Sequence, residues 1–510
     1  MKKEFLKAML VLTGGALFNL VFWQEKLAVN LLIFDAFILA SIFCLYPFSL
    51  SNRSVGWLML GHLITLSAVI IHNTELSKLA CATTLMLIIA FVQYEHRSVW
   101  YAVASALANY ILMIPSFFKC LSSVPANPIQ FYVVRKLIRL AIIPAGMTVV
   151  FYLIYSSSND VFQAIMGDAE RAIQQFFDKI LDWFAWQRVG FWLLGFFITG
   201  GLLLQTGYLW FSKRDMVHKD QLVRRKHNFK RWKASAVSDL LSLIMGRFAW
   251  NNLALKSENS VGLLSLVLLN ALLLVVNAID IIYVWFGHAY RYSMNLTDYV
   301  HEGTWTLIFS IVLAMSILLF FFRGNLNFYQ KNKWLRYGAY GWILQNTILV
   351  ISVTLRDLYY IRHMGLAYKR IGVLFFLFMV LAGLLTAFLK ISKPKTTYYL
   401  LRVNAWVGVA LFVLASCVHW DELIAGYNLN NLRSIPLDAE FLLSLSDKSL
   451  PVIEKNKEVL SSESRQVLFM REKQFFNEQK NYSWLSWNYA DSYVKNKLGE
   501  LSGKHAGGKN

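Results

Sequence analysis

Apolar runs recur along this chain every few tens of residues, and nothing in the sequence constrains its fold more. They lie at approximately 6–23, 27–50, 55–73, 77–93, 98–118, 137–156, 189–211, 261–287, 304–323, 337–356, 371–390 and 403–420. Each approaches the ~20 residues that a helix needs to cross the apolar slab of a bilayer. The alternating pattern of a barrel strand is absent, and a backbone surrounded by lipid must satisfy its own hydrogen bonds, so every run is expected to be helical. Composition agrees: 57% of the 510 residues are hydrophobic and 16% charged, against about 25% charged in ordinary soluble domains. The expected fold is an all-α integral membrane protein, a polytopic bundle of about 11–12 transmembrane helices with a small helical soluble C-terminal tail. The first run follows Lys2 and Lys3 as a signal peptide would, but no small-residue cleavage site closes it and another run begins at Leu27. It reads as a retained first membrane helix.

The formal charge of +20 would point to nucleic acid in a soluble protein. Here it reads as topology, because Lys and Arg accumulate in cytoplasmic connections. The connection 211–257 has a net charge of +8, and 118–139, 323–336 and 390–402 each carry +4 with no acid; together they equal the charge of the whole chain. The intervening connections are acidic, −2 over 156–188 and −1 over 288–303. Two segments resist this scheme. Residues 356–370 place +3 on the outer side, and the N-terminus with Lys2, Lys3 and Lys7 also falls outside if all five early runs span. A re-entrant early segment, or two runs forming one broken helix, would relieve the second.

The chain divides into N-terminal membrane helices (1–118), membrane helices flanking an extracytoplasmic amphipathic helix (119–211), a basic cytoplasmic loop (212–257), C-terminal membrane helices (258–429) and an extracytoplasmic soluble tail (430–510). The amphipathic helix is read from Val161 to Phe184, where apolar residues recur at helical spacing among acids. The tail carries twelve Lys and Arg against ten Asp and Glu, and its last residues, 503–510, are expected to be disordered. In the basic loop, His227–Lys233 interleaves aromatics and cations. For a tethered chain the simpler partner is anionic membrane lipid, and no nucleic acid is expected.

Chemistry leaves few motifs. There is no phosphate-cradling glycine loop, no nucleophile elbow and no EF-hand. His301-Glu302 begins like a zinc-binding HExxH, but Trp305 stands where the second histidine belongs. Cys44, Cys81, Cys120 and Cys417 show no CxxC or metal-ligand spacing and read as small hydrophobes. No metal and no cofactor is expected.

Ionisable residues inside membrane helices are costly, which makes them candidates for function. Asp280 shares a helical face with Asn270 and Asn277; it can bind a cation, relay protons or pair with Arg356. A second group gathers at the outer face: Tyr299, His301 and Glu302 after the eighth run, Arg356, Asp357, Arg362 and His363 after the tenth, and His419 after the twelfth. Converging Arg, His and acid near lipid headgroups fit an anionic or lipid-linked small ligand, with Arg356 and Arg362 donating to phosphate. The competing reading is an interfacial aromatic belt with snorkelling cations.

Four stretches resemble a bacterial family of polytopic membrane proteins known as domain of unknown function 4173: Ser156–Phe162, Tyr299–Gly303, Trp420–Leu429 with Leu437-Asp438 and Phe441–Ser446, and Trp484–Asn488. The chain departs from that pattern at His301-Glu302 and at Gly426. The resemblance implies a multi-pass bacterial inner-membrane protein and brings no catalytic residues. Three function classes follow. The leading one is a non-enzymatic protein that binds or transports a small or lipid-linked ligand. The others are an envelope glycan or lipid transferase, with Glu302, Asp357 or His301 as general base, and a membrane scaffold or sensor.

Overall fold

In a computed structural model, the structure describes residues 2–47, 52–122, 186–223, 254–286, 296–322 and 325–507, with a few positions between 140 and 152; the side chains of 296–305 lie outside that description. The run 137–156, the amphipathic stretch 161–184 and most of the basic loop therefore fall outside the described residues, apart from those few positions.

The membrane part comprises α1 (Lys2–Phe22), α2 (Val29–Leu45), α3 (Arg53–Ile71), α4 (Glu75–Gln93), α5 (Val99–Ile111), α6 (Met113–Ser122), α7 (Trp186–Leu203), α8 (Trp210–Val217), α9 (Ala254–Asp280), α10 (Leu296–Phe321), α11 (Lys333–Met364), α12 (Tyr368–Ser392) and α13 (Thr397–Ser416). The tail adds α14 (Trp420–Asn430), α15 (Ala439–Ser444), α16 (Leu450–Lys455), α17 (Ser462–Gln479) and α18 (Tyr489–Gly507). Among the described residues there is no strand, only one isolated bridge between Gln221 and Lys395. Seven helices are long and apolar enough by themselves to cross a membrane: α1, α3, α4, α9 with its extension to Trp285, and α11–α13. Polar residues set the starts. The side chains of Asn52, Thr74 and Thr396 accept hydrogen bonds from the orphan amides of Ser54, Ser77 and Tyr399, the ordinary N-cap device.

Two ends of the bundle are defined by what touches them. At one, the tail docks: the Lys26 amide donates to Ser486 Oγ at 2.7 Å, Lys448 Nζ to the Asn73 carbonyl at 2.9 Å, and the Leu366 amide to Asn428 Oδ1 at 2.6 Å. This tail end thus gathers the α1–α2, α3–α4 and α11–α12 connections. At the other, basic end, Asp220 takes both Arg97 and Arg402 at 2.8 Å, and Lys390 donates to the Phe322 carbonyl at 2.6 Å.

The fifth run, read as a span unless one early segment is re-entrant or broken, forms two helices bent against each other, and its contacts favour the re-entrant form. The amides of Arg97 and Ser98, just before α5, donate to Asp215 at 2.7 and 3.0 Å. Asn109, near the end of α5, bonds Tyr94 and Gln93 at 2.6 Å each, and Cys120 in α6 bonds Glu4 at 3.0 Å. Every anchor lies at the basic end, and α5 and α6 are bent by 61° at their junction. With this pair re-entrant, four helices precede it instead of five, and Lys2, Lys3 and Lys7 join the basic end. Lys3 there sits over the Tyr46 ring at 4.6 Å. The N-terminal exception to the charge bias disappears.

Two apolar cores fill the membrane part, one among α1–α7 and one among α9–α13, and a third lies under the tail. In the first, α1 and α7 approach to backbone contact: a Cβ on Gly15 would lie 3.1 Å from Phe196 Cα, and one on Gly195 would lie 2.6 Å from the Phe18 ring. Without a hydrophobic drive between helices in lipid, such small-residue contacts are how membrane helices gain packing energy.

Candidate functional site

The predicted residues separate into distinct groups. Asp280 and Arg356 form an ion pair between α9 and α11. Below it, Gln345 Nε2 donates to Asn270 Oδ1 at 2.9 Å, Asn277 donates to the Gln345 carbonyl at 3.0 Å, and above it Trp285 Nε1 donates to Ser352 Oγ at 2.9 Å. The ladder zips the two helices along their length, and α9 widens into a π-helix over Ile281–Trp285 directly after Asp280. The 32 residues of α11 measure about 48 Å, more than the ~30 Å apolar slab, so its last turns project at the tail end.

On those turns Asp357 is buried, Arg362 is exposed and His363 Nδ1 lies 2.8 Å from the Tyr359 carbonyl. Arg370 caps the end of α11 by donating to the Met364 and Gly365 carbonyls and covers the Tyr360 ring at 4.3 Å. A cavity of about 160 Å³ beside it is lined by Arg370, Asn428 and Asp438. His419 stands elsewhere, 5.9 Å from the ring of His72 beyond α3, and its Nδ1 accepts from the Glu422 amide at 3.3 Å. Burial pushes His419 down to about 4 and His72 below its ordinary value, so both are neutral near pH 7. Among the described residues, the Asp280–Arg356 pair, the last turns of α11 and His419 occupy separate places, and Asp357 Oδ2 and His419 Nε2 are buried there without a hydrogen bond. Tyr299, His301 and Glu302 lie on α10, but their side chains fall outside the described residues.

A different cluster was hidden by its spacing in the sequence. The buried stripe of α3 includes Leu58, His62, Thr65 and Val69, that of α4 Ser77, Cys81, Thr84 and Ile88, and that of α2 Asp35, Ile38 and Ile42. These helical stripes face one another and bring Asp35, His62 and Cys81 together about 9–14 Å in from the tail end, at 1.5 Å per residue. All three residues are at most 1% exposed. Cys81 Sγ lies 3.3 Å from Asp35 Oδ2, and His62 Nε2 lies 3.5 Å from the same oxygen.

The hydroxyls fix the imidazole. Thr84 Oγ1 donates to the Ala80 or Cys81 carbonyl of its own helix, each at 2.9 Å, and Thr65 to the His62 carbonyl at 2.9 Å. His62 Nδ1 lies 3.0 Å from Thr84 Oγ1 and 3.9 Å from Cys81 Sγ; in the tautomer whose Nδ1–H donates to Thr84, Nε2 is left bare toward the carboxylate. Asp35 Oδ1 and His62 Nε2 have no hydrogen-bond partner among the described residues. The sequence signal for this site is modest: Asp35, His62 and Cys81 each lie within an apolar run, with Thr three residues after His62 and after Cys81.

A family comparison fits this membrane architecture. The model of a domain of unknown function, DUF4153, matches residues 37–456. The chain belongs to that family. The resemblance to family 4173 is thereby corrected to DUF4153, which equally carries no assigned activity. The DUF4153 match takes in His62 and Cys81, begins two residues after Asp35, and ends before α17 and α18 of the tail. No curated protein and no solved structure matches the chain.

One further polar knot in the DUF4153 region sits at the basic end. Asp215 on α8 is fully buried and accepts from the Arg97 and Ser98 amides, from Tyr398 and from His96 Nδ1 at 3.2 Å. Burial pushes its carboxyl up, but the bonds from His96, Tyr398 and the two amides outweigh that and hold it below the ordinary value. With four donors on its two oxygens, this knot fastens α8 to the α4–α5 connection and to the first turn of α13.

Proposed function

We propose that this is a non-enzymatic, multi-pass protein of the bacterial inner membrane that binds and transports a small cation, with Asp35, His62 and Cys81 as its binding centre and its basic end in the cytoplasm. One observation carries the reading. In a dry interior, His62 Nε2 and Asp35 Oδ2 stand 3.5 Å apart, Nε2 and Asp35 Oδ1 make no hydrogen bond, and with the ring proton on Nδ1 a lone pair faces the carboxylate. Two electron-rich atoms so placed repel unless a proton or metal cation lies between, and unpaired buried charge is expensive. Ionisable groups held inside membrane helices characteristically mark ion pathways. The paired Asp280 and Arg356 serve in this reading as a structural clamp between α9 and α11.

Thermal unfolding of the purified protein in detergent tests it, titrated with protons and with Na⁺, K⁺, Mg²⁺ and Zn²⁺ chlorides at constant ionic strength. A cation that binds the folded state at 100 times its Kd adds about 2.7 kcal/mol. The expected result is a rise in midpoint with one of these cations that Asp35→Asn abolishes. Identical responses from both proteins to every cation, protons included, would remove the reading.

A further inference from the structure

The same three residues have the donor chemistry of a specific class of ion. We infer that Asp35, His62 and Cys81 bind a borderline divalent transition metal of the zinc type, an inference that rests on the cation-binding reading above and names its occupant. Carboxylate oxygen, imidazole nitrogen and thiolate sulfur form a mixed set that Mg²⁺ and Ca²⁺, which prefer all-oxygen shells, do not favour, and that zinc accepts.

Two of the three ligand-to-ligand edges already have the length that zinc requires. Zinc bonds of about 2.3 Å to sulfur and about 2.0–2.2 Å to nitrogen and oxygen give ligand-to-ligand edges of about 3.4–3.6 Å in a tetrahedron. The observed Sγ–Oδ2 and Nε2–Oδ2 separations are 3.3 and 3.5 Å, and one ligand atom from each residue lies within 4.8 Å of the others. The free Nε2 supplies the imidazole ligand, while Nδ1–H to Thr84 is the outer hydrogen bond that ligating histidines use to fix tautomer and ring orientation. The orphaned Asp35 Oδ1 is a second, unused carboxylate oxygen at the same centre.

Charge favours the assignment too. A divalent ion with one carboxylate, one thiolate and neutral imidazole forms a neutral group, the least costly way to keep these side chains in an apolar interior. Binding displaces two protons to solvent, one from the Cys81 thiol and one held between Asp35 and His62 in the metal-free protein, and involves no redox step. Three protein ligands leave a fourth position for an exchangeable ligand, the arrangement of functional zinc sites; structural sites are closed by four protein ligands.

Metal analysis of the full chain tests this. Protein purified in detergent from zinc-supplemented cells, and the same protein stripped with chelator and reloaded with Zn²⁺ or Co²⁺, is measured by mass spectrometry for bound metal and by absorption for the thiolate-to-cobalt charge-transfer band. The expected result is one metal per chain, a cobalt–thiolate band that Cys81→Ser abolishes, and at least tenfold weaker binding in His62→Gln. Thr84→Val, which touches no ligand atom, should weaken affinity about 10–100-fold by releasing the imidazole, and it keeps the test alive if a ligand variant fails to fold. Metal content no higher than in a triple Asp35→Asn, His62→Gln, Cys81→Ser variant, or bound cobalt without a thiolate band, overturns the inference. Stabilisation by protons or Na⁺ that depends on Asp35, without zinc retention, would defeat the metal and leave the cation reading standing; no Asp35-dependent response at all would defeat both.

Discussion

Removing the carboxylate of Asp280 tests the clamp between α9 and α11 most sharply. In Asp280→Asn the Arg356 guanidinium, whose side chain is 11% exposed, loses the Asp280 carboxylate in a site it cannot leave without pulling apart the Asn270, Asn277 and Gln345 ladder. Stranding one partner of a buried ion pair costs about 3–5 kcal/mol. Insertion scales put an uncompensated Arg at a helix centre at about 2.5–3.5 kcal/mol. The two estimates meet near 3 kcal/mol, on the order of a hundredfold in the unfolding equilibrium. Arg356→Gln should cost a similar amount, and the double variant much less than the two singles together, because it leaves no charge stranded. Unfolding of the four proteins in mixed micelles, followed by tryptophan fluorescence, closes the cycle, and a coupling of about 2 kcal/mol is expected for residues in direct contact. Single variants that each cost under about 1 kcal/mol, with additive effects in the double, would refute the clamp and return Asp280 to the list of ligand-binding candidates.

Three further outcomes are expected. Gly365 has φ +85°, and a Cβ there would meet Asn428 Oδ1 at 2.7 Å, so Gly365→Ala should cost about 1–3 kcal/mol and speed proteolytic release of the tail; unchanged proteolysis would contradict the docking role of the α11–α12 turn. Burial, and then the neighbouring Glu454, push Glu472 up to about 7, so the folded tail holds a proton that the unfolded chain loses near its ordinary value of 4.5. That contribution is complete below about pH 4.5 and is lost as pH rises through about 7. Glu472→Gln should therefore gain on the wild type between pH 5 and 8, measured as the difference in hydrogen exchange over α16 and α17, a difference in which the opposite-signed contributions of His72 and His419 cancel. A constant difference would refute it. Finally, single cysteines replacing Lys3 and Ser235, in a background lacking Cys44 and Cys417, should react with impermeant reagent from the same side of the membrane and Ser486→Cys from the other; Lys3→Cys reacting with Ser486→Cys would restore the spanning fifth run.

The exception at 356–370 also takes a physical form. Of its +3, Arg356 is matched by Asp280 on another helix, and Arg370 is spent on the carbonyls that end α11. Net charge per connection counted them as free because it sees only one segment at a time. The same blindness made five spans of the first five runs: apolar length alone does not distinguish a crossing helix from α5 and α6, and only the contacts of Asn109 and Cys120 with the basic end decide it.

By itself the sequence determined that the chain is helical and multi-pass, where its described helices lie to within about eight residues, and that its excess charge gathers in particular connections. These are properties of single segments, set by apolar length and by the cost of exposing backbone or charge to lipid, and need no knowledge of neighbours. It also placed Arg356 among the partners open to Asp280. The Asp35, His62 and Cys81 centre was decided by tertiary structure alone, because which stripes of α2, α3 and α4 face one another depends on the order and rotation of packed helices. Three residues separated by 27 and 19 positions carry no motif that joins them until that packing is fixed.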